Sequence, residues 1–125
     1  MKVYKAVDNY KNDYCDNTNL VLISDKIKIA EGFFNRLFGL IFKKELSNSE
    51  GLLFENCNSI HTLGMKYCID AAFLNKSNEV IAIFCSLKPF RFTPFIKDAS
   101  KVLELKSGFT KSIPLKVGDK LYFEP

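Results

Sequence analysis

The chain has 125 residues, a net charge of +4, 47% apolar and 26% charged side chains, which excludes disordered and fibrous classes and fits one globular domain. A chain of this length buries about two-thirds of the surface it exposes when unfolded, so it needs no disulfide or metal staples. Residues 1–62 carry eight basic and eight acidic side chains and residues 63–125 carry ten and six, a mild excess that lacks the dense basic stripe of a nucleic-acid binder.

The opening fifteen residues, MKVYKAVDNYKNDYC, hold no apolar h-region and no small-residue cleavage site. The expectation is a cytoplasmic protein, with Cys15, Cys57, Cys68 and Cys85 as reduced thiols. Residues 8–19 are rich in Asn and Asp, which bond their own backbone and favour turns. Residues 1–19 therefore read as a loose N-terminal arm, with 2–7 offered as a short strand, and 20–125 as the core of a single domain. Leu20-Val21-Leu22-Ile23 and the alternating Lys26-Ile27-Lys28-Ile29, joined by Ser24-Asp25, predict a hairpin. Phe33, Phe34, Leu37, Leu40 and Ile41 then recur at helical spacing, predicting one packed α-helix near residues 32–43. The apolar run 33–42 is interrupted by Asn35 and Arg36 and is far below the ~20 residues of a membrane span.

Beyond residue 46 the pattern is of short strands. Residues 52–55 and 69–74 are two of them, and Asn75-Lys76-Ser77-Asn78 is a hairpin-type turn. Residues 79–87 are apolar enough to be buried on both faces. In Val102-Leu103-Glu104-Leu105, alternation turns Glu104 away from Leu103 and Leu105, to solvent. Residues 121–123 close the series. Strands and turns at this spacing predict a mainly β fold, a small barrel or sandwich with one helix.

Several blocks carry a family resemblance: Arg36-Leu37-Phe38-Gly39-Leu40, Cys57-Asn58-Ser59-Ile60-His61-Thr62-Leu63-Gly64-Met65, Ile69-Asp70 with Phe73-Leu74, Leu87-Lys88-Pro89, Val102 to Leu105 with Gly108, and Val117-Gly118-Asp119 with Leu121. In order and spacing these resemble domain-of-unknown-function family 192 over about residues 20–123. The resemblance implies a compact, mostly β fold with a short helix, and no activity. The chain differs from the usual pattern at Cys68, where relatives often have Pro, and lacks the export signal many of them carry.

The segment 57–65 is the densest in chemistry, with the only histidine. Cys57, His61 and Met65 are four apart, so they share a face in a helix or a strand. A thiol, an imidazole and a thioether suit a soft cation such as Cu(I), but buried Cys and Met are more often plain core, so no metal and no cofactor is assigned. The leading expectation is a non-catalytic domain that binds a small polar or anionic ligand, or a peptide, in a pocket lined by Arg36, His61, Thr62, Met65 and Asp70. An ion pair of Asp70 with Arg36 is the structural alternative. A second reading is a small hydrolytic enzyme using His61 with Cys57 or Asp70. A third is an interaction protein using residues 88–97, where Lys88, Arg91 and Lys97 alternate with Phe90, Phe92 and Phe95. Its alternative is a proline-bounded loop whose Phe side chains close one end of the core.

Overall fold

The computed structural model describes residues 1–7, 19–30 and 46–125. The expected helix near 32–43, Arg36 and Cys15 lie outside the described residues. Among the described residues there are eight strands: β1 (Lys2–Val7), β2 (Asn19–Ser24), β3 (Lys26–Ile29), β4 (Glu50–Glu55), β5 (Ile69–Leu74), β6 (Val80–Leu87), β7 (Lys101–Lys106) and β8 (Leu121–Glu124). A four-residue helix, α1 (Phe109–Ser112), precedes β8. The strands form a three-stranded sheet, β2-β1-β8, and a five-stranded sheet, β3-β4-β7-β5-β6. Neither closes on itself, so of barrel and sandwich it is the sandwich-like arrangement that fits. No helix among the described residues is long and apolar enough to cross a membrane.

Two layers of side chains explain this packing. On one face of the five-stranded sheet, Ile27, Leu53, Ala72, Leu74, Leu103 and Leu105 join Val3, Ile23 and Leu121 of the smaller sheet in one apolar cluster. On the opposite face, Leu52, Phe54, Ile69, Ala71, Phe73 and Val102 form a second cluster with Met65, Ala30 and Leu46, against which Cys57, Ile60, Tyr67 and Ile96 pack. The alternation of strand residues feeds both clusters, so every residue of β5 is buried. Gly51 is required where β4 lies between β3 and β7: a Cβ there would lie 2.6 Å from Ile27 Cδ1 and 2.9 Å from the Glu104 carbonyl.

Several expectations hold. β5 spans the anticipated residues, and Asn75 Oδ1 accepts from Ser77 N at 2.9 Å and Glu79 N at 3.0 Å to build the following turn. Others are corrected. The short strand offered at 2–7 forms, and within the arm drawn over 1–19 it is not loose: β1 is the central strand of its sheet, paired with β2 and β8. The hairpin over 20–29 does not form. β2 pairs with β1 in one sheet, while β3 runs parallel to β4 in the other. The change of sheet is fixed at Ser24, whose hydroxyl donates to the Ser49 carbonyl; Lys26 N also donates to that carbonyl, at 3.1 Å. β6 is an edge strand and only half-buried along its centre. Glu104 does not face solvent, because both faces of the central strand β7 are covered.

Candidate functional site

The segments 58–65 and 88–97 are irregular, and each fixes the other through buried threonines. Thr62 is fully buried. Its Oγ1 donates to the Lys88 carbonyl at 2.6 Å and accepts from Arg91 N at 2.8 Å. Its backbone N–H donates to the Arg91 carbonyl at 2.9 Å, and its carbonyl accepts from Phe90 N at 3.0 Å. Thr93 repeats the device: Ile60 N donates to its Oγ1 at 2.9 Å, and Thr93 N donates to the Ile60 carbonyl at 3.0 Å. Ile96 N donates to the Asn58 carbonyl at 2.9 Å. A hydroxyl that both donates and accepts satisfies backbone groups that strand pairing leaves open. The turn from Thr62 to Met65 closes through Met65 N on the Thr62 carbonyl at 3.2 Å, and Gly64 supplies φ 79° at its third position, which L side chains rarely adopt.

This frame carries an exposed ridge. Phe90, Phe92 and Phe95 are 65%, 69% and 69% exposed, so they do not close the core. Arg91 between them and Lys88 and Lys97 on either side are exposed as well. His61 pairs with Phe92 through an antiparallel bridge, and their rings lie 6.1 Å apart at 46°. His61 Nδ1 accepts from Leu63 N at 3.3 Å, which leaves Nε2 as the N–H of the neutral ring.

The expected site residues have different settings. His61 is half-buried beside the ridge, Thr62 lies under it as a tie, and Met65 belongs to the second apolar cluster. Asp70 is fully buried on β5. Its Oδ1 accepts from Ser86 N at 2.7 Å, and its Oδ2 from Thr110 N at 3.0 Å and Thr110 Oγ1 at 2.7 Å. These bonds join β5 to β6 and α1, not to the His61 segment. Cys57 Sγ donates to the Ser59 carbonyl at 3.1 Å. No hydrogen bond links His61 to Cys57 or Asp70, and no group of three or more His, Cys, Asp or Glu among the described residues is placed to hold a metal. The exposed aromatic ridge was one of three readings of the sequence; spacing alone gave no sign of which way its rings turn.

Comparison with known proteins places this fold among relatives. A profile of domain-of-unknown-function family 192, described as "Uncharacterized ACR", matches residues 16–123. A UPF0127 protein of Pyrococcus furiosus is 32% identical over 99 residues, 77% of this chain and 84% of the relative. One from Pyrococcus horikoshii is 31% identical over 99 residues, 77% and 85% of the two chains. Two solved structures share the fold. One is a protein of unknown function from Novosphingobium aromaticivorans, with TM-score 0.74, 19% identity, and 98% and 84% of the two chains covered. The other is a putative transcription regulator from Sinorhizobium meliloti, with TM-score 0.73, 16% identity, and 97% and 92% covered.

Proposed function

The chain belongs to domain-of-unknown-function family 192, an uncharacterised family, and from that premise we propose that it is a non-catalytic binding domain whose ridge at 88–97, with His61, takes an acidic peptide segment carrying apolar side chains. The observation that carries this reading is the exposure of Phe90, Phe92 and Phe95 on a backbone held by Thr62 and Thr93. Three large apolar side chains in water forgo on the order of 1.5–3 kcal/mol each of burial. Concentrated on a braced backbone, they have the composition of a hot spot, ready to bind without a further ordering cost. Lys88, Arg91 and Lys97 complement acidic side chains and steer their approach. His61 Nε2–H adds a donor beside Phe92, while Thr62 holds the ridge in position. The free thiols of Cys57, Cys68 and Cys85 fit the reducing cytoplasm as its setting.

A random-peptide display library selected on the full chain tests this. The expected result is enrichment of peptides combining acidic and apolar residues, with binding reduced at least about tenfold by Phe92→Ser or Arg91→Glu. Failure to enrich, or equal binding by both variants, overturns the reading. Tighter binding of single-stranded oligothymidine or of phosphatidylglycerol vesicles would replace the peptide with a nucleic acid or a membrane.

A further inference from the structure

A cavity of about 520 Å³ opens where the chain passes from the smaller sheet to the larger one. It lies within the roughly 300–1,000 Å³ of small-molecule sites. Ile23 and Ser24 at the end of β2 and Phe109 at the start of α1 are its buried floor. Its rim is polar. Asp25, after β2, and Ser47 and Asn48, before β4, line it and are exposed to water, and Ser49 is half-buried. Leu22 and Ile113 extend the apolar wall from Phe109. Hydrogen bonds fix the two turns against each other. The Ser24 hydroxyl and Lys26 N both donate to the Ser49 carbonyl, and Glu50 N donates to the Ser47 carbonyl at 3.1 Å. Charge around the mouth is balanced: Lys26 lies across from Glu50 in register, and both Lys26 and Lys28 act on the Glu50 carboxylate. Among the described residues, no Lys, Arg or His lines the cavity, and Asp25 is its one ionisable group.

We propose that this cavity binds an uncharged, polyhydroxylated ligand with one apolar face, the chemistry of a single pyranose ring. The rim carries the groups that neighbouring hydroxyls need: the Asp25 carboxylate accepts, the Asn48 amide donates and accepts, and the Ser47 and Ser49 hydroxyls do either. The wall of Leu22, Phe109 and Ile113 takes the C–H face of the ring, so apolar surface leaves water on both sides. Other classes fit less well. An anion finds no cationic partner in the lining and meets the Asp25 carboxylate. A cation is drawn to Asp25 but opposed by Lys26, exposed at the next position. A wholly apolar ligand would strip water from Asp25 and Asn48 without replacing its hydrogen bonds. Because the turns are tied to each other, the ligand meets a site already formed. The cavity shares no residue with the ridge at 88–97, and the inference does not depend on the peptide reading.

The test follows the backbone amide NMR signals of the full chain during titration with methyl β-glucopyranoside, methyl β-galactopyranoside and methyl α-mannopyranoside, each to about 50 mM. Inorganic phosphate and ethylamine are the charged probes. At least one glycoside is expected to shift Ser24, Asp25, Asn48 and Ile113 saturably while Arg91 and Phe92 stay in place. Asp25→Ala is expected to keep the wild-type Tm and to weaken that binding at least about tenfold, and Asp25→Asn, which retains an acceptor, to weaken it less. Should Asp25→Ala lower the Tm, Asn48→Ala on the other turn gives the same reading and is likewise expected to weaken binding. Three glycosides that leave these amides unmoved overturn the site, as does binding undiminished in Asp25→Ala and Asn48→Ala. Tighter binding of phosphate or ethylamine overturns the uncharged ligand, and shifts confined to Arg91 and Phe92 move the sugar to the ridge and contradict the cavity.

Discussion

The ridge at 88–97 and the inner face around Glu104 break the burial rule in opposite directions. On the ridge, Phe90, Phe92 and Phe95 stand in water; on the inner face, a carboxyl stands among Leu52, Ala71 and Val102. Both departures rest on a rigid frame, the ridge on Thr62 and Thr93, and Glu104 on the central strand of a sheet covered on both faces. Asp70, on the strand next to Glu104, shows how the same fold treats a carboxylate used for structure: it is fully buried and accepts three hydrogen bonds. Burial alone therefore does not separate the two carboxyls. What the structure shows at each does: three donors tie Asp70 to β6 and α1, whereas desolvation in an apolar layer raises the pKa of Glu104 to about 8.

The largest expected effect is on the structural side of this contrast. Asp70→Ala strands Thr110 N and Thr110 Oγ1 in the interior and also removes the bond to Ser86 N, on an exposed residue, so urea unfolding should show a loss of about 2 kcal/mol or more, at roughly 1–3 kcal/mol for each buried unsatisfied group. A loss below about 1 kcal/mol would show that the bonds of Asp70 do not hold β6 and α1 in place. Thr62→Val should have a smaller effect, about 1–2 kcal/mol, by removing the bonds to Lys88 and Arg91 while keeping the side-chain shape. Because those bonds brace the ridge, amide hydrogen exchange at Arg91 should speed up more than exchange within β5. Uniform acceleration across both would show that Thr62 supports the fold at large and not the ridge in particular.

Some of this was legible in the residues. The strand 69–74 and its turn follow from an apolar run ended by Asn75, whose side chain builds the turn locally. The hairpin over 20–29 was misread because an alternating run looks the same whichever strand it pairs with; the partner of β3 is β4, more than twenty residues away. Period-two alternation turns Glu104 to solvent only where a strand has one wet face, and β7 lies at the centre of a sheet with apolar layers on both sides. The segment 57–65 drew attention for its soft ligands. Its observed contribution is instead the buried hydroxyl of Thr62 and the left-handed Gly64, which hold the neighbouring loop. Spacing gathers the expected site residues around His61, but it fixes faces only within regular elements.

Stability against pH, wild type beside Glu104→Gln, reads the state of the interior carboxyl most directly. Its pKa is raised by burial from 4.5 to about 8, so the folded chain holds a proton that the unfolded chain has released. The stabilisation is complete below the unfolded value and is lost as pH rises through the folded one. Between about pH 5 and 8, wild type should lose up to ~1.4 kcal/mol of unfolding free energy per pH unit relative to Glu104→Gln. Parallel curves for the two proteins would mean that folding does not hold Glu104 protonated, and would contradict a carboxyl desolvated within the sheet.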